Sequence, residues 1–400
     1  MNEEQLLTAA KAFVRGPGQS YLRRRNITSI GIGYRMREGR RTDELCVQFT
    51  VERKLAPERL SAENLEELPR SVSFGGVEIA TDVLERRYAP SYRLVVEAET
   101  VKDPRKLRRD PIVPGISVAH YRETAGTIGC IAYDAETGTP YILSNWHVLQ
   151  GPQGRIGDSV VQPGPFDDNR IERNRLGALV RSHLGVAGDC AVASIEDRRF
   201  AATVEGLGVA VGRLAEPELG DRVIKSGRTT AVTRGIVTRV EMTIRLDYGP
   251  PVGEALVGGF EIEPDPEHPA RDNEISMGGD SGSAWLACAD DGQPTDILVG
   301  LHFAGESGAE MREHAVACYA DAVCKKLEVV VAPPGLAAAA QPAAQAEVGY
   351  DPMFVGRRID PPEIRGAARR DLVVIAGSPV IRHTHFSLAV NGARRFAQWV

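Results

Sequence analysis

Apolar side chains at Leu6, Leu7, Ala10 and Phe13 fall on one face at helical spacing, so residues 4–14 read as a short amphipathic helix. The period then changes. Ile27-Thr28-Ser29-Ile30-Gly31-Ile32-Gly33-Tyr34 alternates as a strand does, and after a polar turn Leu45-Cys46-Val47-Gln48-Phe49-Thr50-Val51-Glu52 alternates again. Residues 60–68 predict a short helix and residues 72–83 a further strand, which makes residues 1–100 a small α/β module. Residues 101–114 are charged and contain proline, as a linker does. From residue 115 to residue 330, short apolar runs are punctuated by Gly, Pro and Asp. They predict strands at 128–133, 141–144, 159–162, 176–183, 190–195, 222–225, 235–244, 284–288 and 297–303. So many strands with almost no helical period argue for a mainly β barrel or sandwich. Residues 331–349 are an Ala/Pro tether, and residues 350–400 return to ordinary composition, basic and strand-like.

A length of 400 residues suits two or three such domains. The net charge of −6, with 26% charged and 42% hydrophobic residues, advertises neither a nucleic-acid nor a membrane partner. Met1-Asn2-Glu3-Glu4-Gln5 carries early acids and no apolar run, unlike a secretion signal, and no later run approaches a membrane span. The six cysteines are scattered, mostly flanked by apolar residues, and lack metal-ligand spacing. They read as buried thiols, and the cytoplasm is the expected compartment.

The candidate chemistry lies in three places. Gly278-Gly279-Asp280-Ser281-Gly282-Ser283 sets a serine between small residues, where the backbone can turn tightly and aim the amides of Gly279 and Ser281 at one point. Taken alone, it also reads as a Gly/Ser-rich hairpin turn. Acyl transfer by serine needs a base for the hydroxyl proton and a carboxylate to hold that base in one tautomer. Ser144-Asn145-Trp146-His147 offers a histidine straight after an apolar strand, and Gly188-Asp189-Cys190-Ala191 offers an acid at a strand start. His147 could instead be a core histidine and Asp189 a strand cap. Asp158, Asp167, Asp168 and Asp221 are rival acids in loop-like surroundings.

These motifs, with Thr127-Ile128-Gly129-Cys130 and Lys225-Ser226-Gly227-Arg228-Thr229-Thr230, resemble a bacterial trypsin-like serine peptidase over residues 115–330. The resemblance implies a mainly β, chymotrypsin-like double β-barrel with the site in the cleft and no cofactor. It casts His147 as base, Asp189 as orienting acid and Ser281 as nucleophile, with the amides of Gly279 and Ser281 as oxyanion hole. The order histidine, aspartate, serine is that of the chymotrypsin class. The α/β module resembles one found ahead of the peptidase in some bacterial trypsin-like proteins. Two departures stand out: Trp146 precedes the histidine, and the barrel starts far from the N-terminus although Asp280 is kept. Arg109-Asp110-Pro111-Ile112-Val113 faintly echoes an activation site, but proline at the scissile position argues against cleavage there.

Val299-Gly300-Leu301-His302-Phe303 resembles the segment that places a histidine in the S1 pocket of glutamyl endopeptidases. His302 would then favour an acidic P1 residue, with Ile275 in place of the acid that trypsin uses for Lys and Arg. A packed strand residue is the other reading of His302. Under the first, Glu347 in the tether becomes a candidate self-cleavage site. Residues 350–400, with Tyr350-Asp351-Pro352-Met353-Phe354 and His383-Thr384-His385-Phe386, resemble the opening of the DNA/RNA non-specific endonuclease family. That family's Asp-Arg-Gly-His motif is absent here, so the segment reads as an incomplete nuclease, from a truncated or processed fusion or as a remnant. A divalent metal and nucleic acid would be expected only with a complete nuclease domain. The expected partner is a protein or peptide substrate, its own linker included, with no membrane. A stress or phage-defence effector would suit such a fusion. A catalytically silent or latent barrel that regulates the nuclease is the alternative.

Overall fold

The computed structural model describes residues 2–90, 103–306 and 313–334, together with three short strands near the C-terminus. Residues 1–337 form one compact unit and residues 338–400 another. The fold is mainly β.

The chain opens with α1 (Glu3–Arg15), whose Asn2 side chain accepts from the Gln5 amide while the Gln5 side chain returns the bond, a capping box. Strands β1 (Ile27–Arg37) and β2 (Arg40–Val51) pair antiparallel, burying Ile27, Ile30, Ile32, Val47 and Phe49 against α1. The helix expected at 60–68 forms earlier, as α2 (Pro57–Ala62). Pro57 already has the φ of a first helical position, and Asn64 ends the turn at φ +54°. The strand expected at 72–83 is split into β3 (Ser71–Phe74) and β4 (Val77–Glu85), because Gly75 and Gly76 both take positive φ and turn the chain back. A short strand, β5 (Tyr88–Pro90), follows.

The first barrel comprises β6 (Ser117–His120), β7 (Gly126–Thr127), β8 (Cys130–Asp134), β9 (Pro140–Ser144), β10 (Ser159–Val161), β11 (Arg175–Gly185) and β12 (Gly188–Ser194). The order is β8-β9-β12-β11-β10-β6-β7. Residues 126–134 run without a break from the edge of β6 to the edge of β9, which closes the sheet on itself. Two single-turn helices, α3 (Trp146–Leu149) and α4 (Ile171–Asn174), sit in its connections.

After β13 (Arg213–Leu214), the second barrel uses β14 (Arg222–Gly227), β15 (Ala231–Asp247), β16 (Glu254–Pro264), β17 (Ala284–Cys288), β18 (Pro294–Glu306) and β19 (Ala315–Tyr319). Their order is β14-β17-β18-β19-β16-β15, and β14 also pairs with β15, so six strands close. Helix α5 (Ala320–Leu327) and β20 (Val329–Val330) return to the first barrel, where β20 pairs with β8. The expected double barrel is present. Strands β16 and β19, like the short β6, β7, β13 and β20, were not foreseen.

The N-terminal segment joins this barrel through its sheet. β1 pairs with β15, and β5 pairs with the end of β18. A buried polar knot fastens the seam. Arg239 donates to Tyr88 Oη at 2.6 Å, to Glu261 Oε2 at 3.2 Å and to Ser29 Oγ at 3.3 Å, and Tyr88 donates to Glu261 at 2.6 Å. Burial pushes the Glu261 carboxyl up, but Arg239 and Arg86 outweigh it and bring it down to about 2. In the second unit, β21 (Ile381–Arg382), β22 (Ser387–Asn391) and β23 (Phe396–Trp399) form an antiparallel sheet. Glu347 and the histidines His383 and His385 lie outside the described residues.

Candidate active site

β9 ends at Ser144, and the chain turns at once into α3, which carries His147. Asp189 is the second residue of β12, whose pairing with β9 matches Ala191 with Ser144 and so sets the acid beside the helix. His147 Nδ1 and Asp189 Oδ2 are 2.6 Å apart, and the His147 amide donates to Asp189 Oδ1 at 3.2 Å. Asn145 Nδ2 donates to the Asp189 carbonyl at 2.7 Å, tying the strand start to the same turn. A residue that the sequence reading missed completes the group. Tyr248, beyond β15, donates its hydroxyl to Asp189 Oδ2 at 2.7 Å, and Trp146 packs edge-on against it at 5.9 Å between ring centroids. Trp146 is thus part of the core. No local signal marks Tyr248; it reaches the site only because β15 is long.

Ser281 lies in the turn before β17. Gly279 and Gly282 take φ of +98° and +91°, conformations that a side chain disfavours. A Cβ on Gly282 would also lie 2.1 Å from Ser144 Oγ and 2.3 Å from the Thr127 carbonyl, so the turn sits directly on the end of β9. Thr127 of the first barrel holds it there. Its amide donates to the Ser281 carbonyl at 2.7 Å and its hydroxyl to the Gly279 carbonyl at 2.8 Å. On the other side, Gly282 donates to the His302 carbonyl at 2.8 Å, and His302 donates to the Ser283 carbonyl at 2.9 Å. The structure thus pairs His147 with Asp189, and it seats the Ser281 turn on the end of β9, the strand that leads into the His147 helix.

Asp280, within this turn, is fully buried. Its carboxylate accepts from the amides of Thr229 at 2.8 Å, Thr230 at 3.1 Å and Met277 at 3.0 Å, and from Thr230 Oγ1 at 2.6 Å. Lys225 Nζ, equally buried, lies 3.4 Å away. Burial raises the Asp280 carboxyl, but Lys225 and these donors outweigh it and hold it below the ordinary aspartate value. The acid before the serine thus has its cation within the barrel. Ile112 of the faint activation motif is fully buried and bonds to Arg199 by its amide at 2.9 Å.

His302 is completely buried, with its ring edge-on to Trp285 at 6.4 Å. Neither ring nitrogen has a hydrogen-bond partner among the described residues. Burial first, and then the Lys225 charge, push its pKa down to about 3, so the ring is neutral. Ile275 is buried too, and its amide donates to Glu313 Oε1 at 3.1 Å; the Ser276 amide donates to the same oxygen at 3.3 Å. Burial and the nearby Glu274 push the Glu313 carboxyl up to about 8, against those two bonds. The rival acids are engaged elsewhere: Asp158 with His120 at 3.1 Å, Asp167 with Arg228, Asp168 with Arg170 at 2.6 Å, and Asp221 with the Glu218 amide at 2.8 Å.

No protein-family model and no curated protein matches the sequence. Among solved structures, the chain is similar to a glutamic-acid-specific serine protease described as using a histidine triad in substrate binding. The identity is 19%, over 55% of this chain and 100% of that one, with a TM-score of 0.40. Thermobifida fusca protease A is similar at 17% identity over 56% of this chain and 98% of its own, with a TM-score of 0.40. Nocardiopsis protease is similar at 16% identity, 55% and 98% coverage and a TM-score of 0.40. All three are bacterial serine proteases of the trypsin and chymotrypsin type.

Proposed function

We propose that the chain is a serine endopeptidase. The observation that carries this reading is the buried contact of 2.6 Å between His147 Nδ1 and Asp189 Oδ2, set beside the glycine-tight turn of Ser281. A carboxylate on Nδ1 fixes the tautomer that leaves Nε2 to act as base. Ser281 Oγ would attack the peptide carbonyl as its proton passes to His147 Nε2. The amides of Gly279 and Ser281 would receive the oxyanion. Collapse of the intermediate would expel the amine with the proton returned by His147, and water would then release the acyl group by the same steps. Tyr248 and the His147 amide hold Asp189 in place throughout.

His302 favours an acidic P1 residue in this reading, because its ring N–H, which has no partner among the described residues, would gain an acceptor when a carboxylate binds. Glu347 is then the proposed self-cleavage position, freeing a nuclease-like segment in a cytoplasmic defence or stress effector. Six free cysteines agree with a reducing compartment. A latent barrel is the second reading. Its support is that His147 and Ser281 are only 5% and 1% exposed.

A small fluorophosphonate tests the catalytic assignment, since it reacts with the serine oxygen without an extended strand site. A single adduct on Ser281 in the wild type, lost in His147→Ala, is the expected result. No adduct, or an equal one in His147→Ala, refutes the assignment.

A further inference from the structure

Strand β18 is bound on both edges along most of its length. β19 takes one edge, facing Ala304 and Gly305 with Val316 and Ala315. A strand has only two edges, so β5 must lie on the other, where it pairs Pro90 with Ala304, Ala89 with Gly305 and Tyr88 with Glu306. That second edge is also the one on which β17 and the serine turn lie. β17 matches Ala284 with Leu301, and the next residue of β18, His302, holds Gly282 and Ser283 by the two backbone bonds described above. Along one edge of one strand, then, come β17, the nucleophile turn and β5 in succession.

The direction of β5 is as telling as its place. It runs antiparallel to β18, so its C-terminal end, at Pro90, points toward His302 and the serine turn. An extended peptide presenting a carbonyl to Ser281 would enter with its acyl half on this edge and in this direction, adding a strand to β18. A free sheet edge invites such addition. Here the edge is already filled.

We infer that the β18 edge at residues 304–306 is the strand-addition surface for the acyl half of a peptide, and that Tyr88–Pro90 of the same chain is its resident occupant. This rests on the peptidase reading for its consequence, which is that substrate and β5 compete. The occupant is held from behind. The Tyr88 hydroxyl is bonded to both Glu261 and Arg239, its ring stands edge-on to His314 at 5.1 Å, and Arg86 reaches Glu263 at 3.3 Å. The seam that joins the N-terminal segment to the second barrel is therefore also the latch on the peptide site.

Binding of a fluorescein-labelled peptide of residues 86–91, Arg-Arg-Tyr-Ala-Pro-Ser, to the full-length chain tests the inference. The measurement is made in Ser281→Ala, where no turnover intervenes. Tyr88→Phe removes only the hydroxyl and is expected to tighten peptide binding about tenfold. Tyr88→Ala removes the ring as well and is expected to tighten it about a hundredfold. Tyr88→Phe keeps the packed ring, so it reports even if Tyr88→Ala fails to fold. Equal affinity in Ser281→Ala and its Tyr88→Phe derivative overturns the inference. The fluorophosphonate adduct separates the two ideas. Tighter peptide binding without an adduct supports the occupied edge while refuting the peptidase, and an adduct with unchanged binding does the reverse.

Discussion

Replacing Lys225 by methionine would leave Asp280 as a buried carboxylate without its cation, directly beside the nucleophile. Both side chains are 0% exposed, so solvent does not screen the pair. At 3.4 Å and an effective dielectric constant of about 20, their attraction is about 5 kcal/mol. Three amides and the Thr230 hydroxyl still hold the carboxylate after the substitution, and the variant no longer has to bury an ammonium. The expected net loss is therefore about 3 kcal/mol, at the low end for breaking a buried pair. For a unit of 337 residues, that lowers Tm by about 4 °C. Thermal unfolding of the wild type, Lys225→Met, Asp280→Asn and the double variant forms the cycle that measures the coupling. The double variant should be markedly more stable than the sum of the single losses allows, because neither charge is left alone. Fluorophosphonate labelling of Ser281 should slow in Lys225→Met, since Asp280 sets the turn. Losses that add to within about 0.5 kcal/mol would show that the pair does not couple, and the argument would fail.

Two further substitutions probe the site from other sides. Tyr248→Phe removes the hydroxyl on Asp189 Oδ2 and should lower kcat about tenfold with KM unchanged, as measured by steady-state kinetics on a peptide substrate. An unchanged kcat would make Tyr248 a packing residue only. Glu313, with its carboxyl raised to about 8, keeps its proton in the folded state at pH values where the unfolded chain has released it. Its contribution to stability is therefore complete below the ordinary glutamate range and is lost as the pH rises to about 8. Denaturant unfolding between pH 5 and 9 should show this decline in the wild type and a flatter profile in Glu313→Gln. Parallel profiles would refute it.

Much of this protein is legible along the chain because local spacing sets local geometry. The 3.6-residue recurrence of Leu6, Leu7, Ala10 and Phe13 becomes α1, and the apolar run at residues 284–288 becomes β17 with the same ends. His147, Asp189 and Ser281 could be singled out because each carries its own setting in sequence: a histidine after a strand, an acid at a strand start, a serine among glycines. β16 was overlooked since Gly258-Gly259 interrupts its pattern, and β19 since Ala315-Val316-Ala317-Cys318 is apolar without alternation. Other features have no local trace at all. Tyr248 is fifty-nine positions from Asp189 and Lys225 fifty-five from Asp280, and neither partner alters the pattern around the other. β5 reads as an unremarkable tripeptide until β18 is laid beside it. Backbone preference and apolar period act over a few residues and so decide the elements. Which edges meet, and which buried charges must find partners, is decided only when two closed barrels and the segment before them exclude water together.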